Sequence, residues 1–161
     1  MSRYPVFQYL QLFLDKISFH DCKVYASGYD EKSNQLLLDV DYISSDWVLE
    51  KNGYYSFSIV PATFLFENAW DIEINVSMND ALIIDRIERS NPKLKNIDYF
   101  PENTVEYDWK IEFLQGEITF KSIGLSIYQR KKGIIQQSQS LTIDQRNGIS
   151  LRKEGVLYQV V

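Results

Sequence analysis

Apolar and polar residues alternate with a period of two along most of this chain, the pattern of half-buried strands. It is clearest at 71–78, where Ile72, Ile74, Val76 and Met78 oppose Asp71, Glu73, Asn75 and Ser77. The same rhythm sets Val105, Tyr107, Trp109, Ile111 and Phe113 against Glu106, Asp108, Lys110 and Glu112. Over 36–43, Leu36, Leu38, Val40 and Tyr42 share one face, with Asp39 and Asp41 on the other. Shorter strands are predicted at 23–26, 55–59, 64–66, 82–87 and 139–143, with one or two edge strands at 149–160. The longest candidate, 117–130, changes phase between Phe120 and Ile123, and with Gly124 beside it this predicts a bulge or bend.

Punctuation between the strands is local. Ser27-Gly28, Asn52-Gly53, Asn79-Asp80 and Gln115-Gly116 read as turns. Residues 90–104 are polar and hold Pro92 and Pro101, which predicts a long loop. Pro61 should end a strand or lie at an edge, and a chain bending there would cross from one sheet to another. Only the start of the chain departs from the β pattern. Val6, Phe7, Leu10, Phe13, Leu14 and Ile17 recur at spacings of three and four, predicting an amphipathic helix over about 4–17. Pro5 is acceptable in its first turn, where a missing N–H costs little. The expected fold is therefore mainly β, or α+β if the single N-terminal helix is counted. It would be one domain spanning 1–161, an antiparallel sandwich or partly closed barrel with the helix on one face or end.

Composition supports a large core, because 14% of the residues are aromatic and each such ring buries about 150–250 Å². The net charge of −5 conceals a division. Up to Glu117 there are 20 acidic against 10 basic residues, and after it 7 basic against 2 acidic. An acidic chain lacks the basic footprint of a general nucleic-acid binder, whereas it suits a basic protein partner. Cys22, the single cysteine, excludes an internal disulfide and reads as a buried apolar thiol. The start shows no secretory pattern and no apolar run long enough to cross a bilayer, so the expected compartment is the cytoplasm, with no membrane contact.

Candidate chemistry is thin. His20, the one histidine, stands beside Asp21, and with Asp39 and Asp41 it allows a metal-dependent hydrolase to be imagined, although no spacing requires it. Glu67, Asp71 and Glu73 offer carboxylates for glycoside hydrolysis, and are equally what alternating strands contain. Glycines are scattered singly, and no nucleophile elbow or phosphate loop occurs. No catalytic, metal or cofactor site is assigned. Trp47 and Trp70 are candidates for interface anchors or rim packing, and Trp109 for the core. Arg130, Lys131 and Lys132 read as an exposed basic turn.

Several stretches together carry a resemblance: Phe19-His20-Asp21-Cys22, 38–43 with Trp47, 61–68, 109–120 and the closing 139–151. The set resembles small, largely uncharacterised bacterial β-rich proteins, some of which are similar to immunity proteins of polymorphic-toxin systems. The resemblance covers most of the chain and implies a binding role; it carries over no functional residue. The function expected is a non-enzymatic protein-binding module, one form of which is an immunity protein neutralising a toxin domain. Asp39, Asp41, Glu106, Asp108 and Glu112 would supply charge to a basic partner, and Trp47 with Tyr54 would supply anchor area. The alternative is a small-molecule pocket protein of lipocalin-like type. Oligomeric state is left open.

Overall fold

The computed structural model describes residues 10–96 and 98–161, and at 10–12 and 45–47 it describes the backbone only. Among the described residues eleven strands, a 3-10 turn (Leu14–Lys16, between the first two strands) and one α-helical turn follow in order: β1 (Leu10–Leu12), β2 (Lys23–Asp30), β3 (Gln35–Leu49), β4 (Tyr55–Glu67), β5 (Trp70–Val76), β6 (Leu82–Leu94), β7 (Val105–Phe113), β8 (Gly116–Ser122), β9 (Gly124–Gln129), β10 (Ile134–Gln136), α1 (Ile143–Arg146) and β11 (Val156–Val160). They hydrogen-bond in the order β1-β11-β9-β4-β3-β2-β6-β7-β8-β5, with β10 added to β4. All described pairings are antiparallel except β1 with β11. The sheet does not close into a barrel.

Folding over occurs at the β2–β6 step, where only Lys23 and Val24 pair with Ile83 and Leu82. The two halves then face one another as in a sandwich. Leu38, Val40, Ala62, Phe64, Phe66 and Ile127 come from one layer, and Trp109, Ile111, Ile118 and Phe120 from the other. Phe66 sits edge-on to Trp109 at 5.3 Å and to Phe120 at 4.6 Å, so aromatic rings fill the space between the layers. Burying each such ring contributes roughly 1.5–3 kcal/mol. The Trp109 indole N–H donates to the Ser122 carbonyl at 3.0 Å, which leaves no polar atom of that ring unmatched.

Two chain crossings tie the layers together, and both are local in origin. At Ile123 the chain leaves β8 in one layer and enters β9 in the other, which explains the change of phase in the sequence. At Asn68-Ala69 it passes from β4 to β5, with Asn68 in the left-handed region at φ 45°. The Glu67 carbonyl accepts from both the Ser122 hydroxyl at 2.6 Å and the Ile123 N–H at 3.1 Å, joining the two crossings.

Pro61 is therefore not the crossing point. β4 runs through it without a break, because the Pro61 carbonyl faces the place where β9 has ended and β10 has not begun. There it accepts from the Arg130 N–H at 2.9 Å, and the ring nitrogen on the same side deprives no ladder partner.

Three further expectations are corrected. Residues 10–17 do not form a helix: Leu10–Leu12 is a strand, and Leu14–Lys16 a single 3-10 turn. Backbone pairing with β11 outweighs the apolar stripe, and residues 4–9 of the expected helix lie outside the described residues. β6 extends to Leu94, past Pro92, by a register shift between Ser90 and Lys93. The strand expected at 139–143 is replaced by the turn of α1, which Thr142 and Gln145 fix in a reciprocal capping box.

Candidate functional site

Polar side chains gather on the two outer faces of the folded sheet, and the sequence candidates divide between them. On the outside of the first layer, Asp39 and Asp41 project from β3 on the side opposite Leu38 and Val40. They are not a solvated strand face: both are fully buried, since residues 139–152 pack over them. Arg146 at the end of α1 reaches back with its whole fork. It donates twice to Asp39, at 2.7 and 2.8 Å, and once to Asp41 at 3.1 Å.

Other donors complete the cluster. Arg130 donates to Asp39 at 2.7 Å and to the Thr63 hydroxyl at 2.7 Å. The Ser150 N–H binds Asp39, and the Leu141 N–H and the Tyr25 hydroxyl bind Asp41. Tyr25 also lies 3.7 Å beneath the Arg146 guanidinium. Burial alone would raise the Asp39 carboxyl; the hydrogen bonds from Arg146, Arg130 and Ser150 overcome it and hold the group below the usual carboxylate range. Burial, reinforced by the hydrogen bond to Asp41, pushes the Tyr25 phenol up.

Two carboxylates against two guanidiniums make this a neutral clasp with its donors spent. It holds the C-terminal segment down and has no carboxylate to offer a partner, so Asp39 and Asp41 leave the list of contact residues. Arg130 leaves the exposed basic turn for the same reason, its side chain being 5% accessible.

The imagined hydrolase centre also fails to assemble. His20 is exposed and lies against Asp21 and Asp85, at 3.4 and 3.2 Å, while Asp39 and Asp41 are committed to arginine. Among the described residues no three His, Cys, Asp or Glu side chains are placed to hold a metal ion. Glu67 accepts from Gln35 on the first layer's outer face, whereas Glu73 lies on the second layer's, so those carboxylates do not converge. Cys22 is buried, and burial pushes its thiol up to about 12.

On the outside of the second layer, β5 to β8 present a charged face. Asp108 binds Lys121 at 2.7 Å and Asn91 at 2.9 Å, and these bonds hold its carboxyl below the ordinary range. Glu112 pairs with Arg86 and with Lys110, which lower it likewise, and Lys110 also reaches Glu117 at 3.4 Å. Glu106 is buried here, beneath Lys95 at 3.2 Å and the Trp70 indole, whose N–H donates to it at 2.7 Å.

The Trp70 ring, 45% exposed, lies between the Lys95 and Lys121 ammoniums at 5.7 and 5.8 Å. An open cleft of about 570 Å³ crosses this face, and Asp71, Glu73 and Glu88 line it without an ion-pair partner among the described residues. These three were legible as polar positions of alternating strands; that they make no direct ion pair is visible only in the tertiary structure.

The structure thus brings Glu106, Asp108 and Glu112 together, adds Trp70, and places Tyr54 elsewhere, exposed in the β3–β4 turn of the first layer. Trp47 falls in β3, and its side chain lies outside the described part of the structure. Compared with models of known protein families, with curated proteins and with solved structures, the chain matches none. Among the described residues no helix is long and apolar enough to cross a membrane.

Proposed function

We propose that the protein is a cytoplasmic, non-enzymatic binding module that holds a basic protein partner on the outer face of β5–β8, in the manner of an immunity protein covering a toxin domain. One observation carries the reading: Asp71, Glu73 and Glu88 line an open cleft without a direct ion pair among the described residues, and the half-exposed Trp70 stands beside Lys121 of the same lining. Rim acids steer a basic surface into register, and an amphipathic ring supplies contact area once it arrives. Asp71, Glu73, Glu88 and Asp108 line the cleft against Arg89, Lys110 and Lys121, four acids to three cations, so the formal charge there is −1.

Affinity capture with the tagged protein from the lysate of its own host, washed at low and high salt, tests the proposal beside a Glu73→Lys/Glu88→Lys variant. A basic protein held in stoichiometric amount by the wild type, weakened by salt and lost from the variant, is the expected result. Equal retention by the variant overturns the assignment of this face.

A further inference from the structure

Ile74 and Ile118 stand opposite one another in the β5–β8 register, so their side chains project from the same inward face of the layer. Ile118 is 3% exposed and Ile74 is 61% exposed. Ile74, an apolar residue on the core side of a sandwich, is exposed because no described residue covers it. β5 ends the hydrogen-bonded order, and β2, the strand across from it, pairs with β6 only at Lys23 and Val24. From Ser27 to Asp30 the described pairings of β2 are with β3 alone. A groove of about 500 Å³ runs between these two open edges, with the buried Leu36 in its wall beside Tyr29, Trp70, Ile72 and Ile74.

We infer that this seam takes one extended segment of the partner, added as a strand to the free edge of β5; the inference rests on the binding role proposed above. Strand addition satisfies main-chain groups that an edge leaves open, and alternate side chains set its specificity. Inward side chains of the added strand meet Ile72, Ile74 and Leu36, and must be apolar. Outward ones flank Glu73, which faces out beside Thr119, and Asp71; neither acid has an ion pair among the described residues. The occupant is therefore a segment alternating apolar with Lys or Arg. A second copy of this chain is disfavoured, since antiparallel pairing of β5 with β5 centred on Ile72 sets Asp71 against Glu73, and centred on Glu73 sets that acid against its own counterpart. The irregular stretch between Trp70 and Glu73, with Asp71 at φ 53°, blunts only the start of the edge, and Glu73–Val76 keeps regular register.

The probe is a synthetic ten-residue peptide alternating valine and lysine, with its valine–glutamate counterpart as control. Binding is followed by fluorescence polarisation, and backbone-amide exchange is followed residue by residue along β5. Wild type is expected to bind the lysine peptide and not the glutamate one, slowing exchange at the unpaired amides of 73–76 by about tenfold or more. Glu73→Lys should reverse the preference between the peptides. Ile74→Lys, at a position open enough to tolerate the change, should abolish binding of both.

Binding of the lysine peptide that survives Ile74→Lys and leaves β5 exchange unchanged overturns the seam while leaving the acidic face standing. Absence of binding at millimolar peptide, or a dimer through β5 in sedimentation of the free protein, also overturns it.

Discussion

Arg146 grips Asp39 through two parallel hydrogen bonds of 2.7 and 2.8 Å across 107 positions of sequence, and neither side chain is exposed. Removing one partner of a buried pair leaves the other uncompensated, at a cost of about 3–5 kcal/mol. Arg146→Ala should therefore lower the urea midpoint by an amount equivalent to that loss. Arg146→Lys should recover only part of it, because one ammonium cannot fork to Asp39 and reach Asp41 as well. Full recovery of the wild-type midpoint by Arg146→Lys would show that charge, and not the fork, holds the segment.

Acid should release the same clasp. The Asp39 carboxyl lies lower in the folded protein than its unfolded value of about 3.9, so the folded state binds fewer protons there. Its contribution is complete above about pH 5 and is lost as pH falls through the folded value. Unfolding free energy measured from pH 6 downward should hold level and then decline below about pH 4. A decline beginning near neutrality would assign acid sensitivity to another group.

Cys22 should be silent in the folded state. Its thiol is raised to about 12 by burial, and its sulfur accepts the Ile43 N–H at 3.5 Å. At pH 8 an aromatic disulfide reagent should label the protein only as fast as it unfolds, and in full once urea is added. Rapid native labelling would contradict the burial of Cys22.

Gly155 and Gly53 separate close approach from backbone strain. Both adopt positive φ, at 94° and 84°, yet a Cβ on Gly155 would stand 1.9 Å from the Gln129 carbonyl oxygen, while one on Gly53 would meet nothing within 4 Å. Gly53→Ala should cost about 1 kcal/mol, the strain alone. Gly155→Ala should cost more than about 3 kcal/mol, since it also wedges β11 from β9. Similar thermal midpoints for the two variants would refute the close approach.

Period-two alternation gave away the strands because each has one face on the core and one in water or against polar neighbours. The same local signal located the bend at Ile123-Gly124, where a phase change is the direct trace of a strand changing layers. It misled at residues 10–17, where an apolar stripe read as helix yields to backbone pairing with β11, a partner nearly the whole chain away. Pro92 and Pro61 misled similarly. A proline is tolerated wherever no neighbour needs its N–H, and only the register shows where that is.

The candidate site divides along the same line. By itself the sequence determined a β-rich chain, an aromatic core built around Trp109, and acidic residues on alternate strand positions. Tertiary structure alone decided which acids remain available. Asp39 and Asp41 look like Asp108 and Glu112 in the sequence, yet the first two are sealed beneath the C-terminal segment by Arg146 and Arg130, and the others lie on the opposite outer face. Periodicity reports which side of its own strand a residue occupies. Whether that side meets water, an arginine or an unfilled seam is fixed by segments far away in sequence, whose arrival leaves no mark on the local pattern.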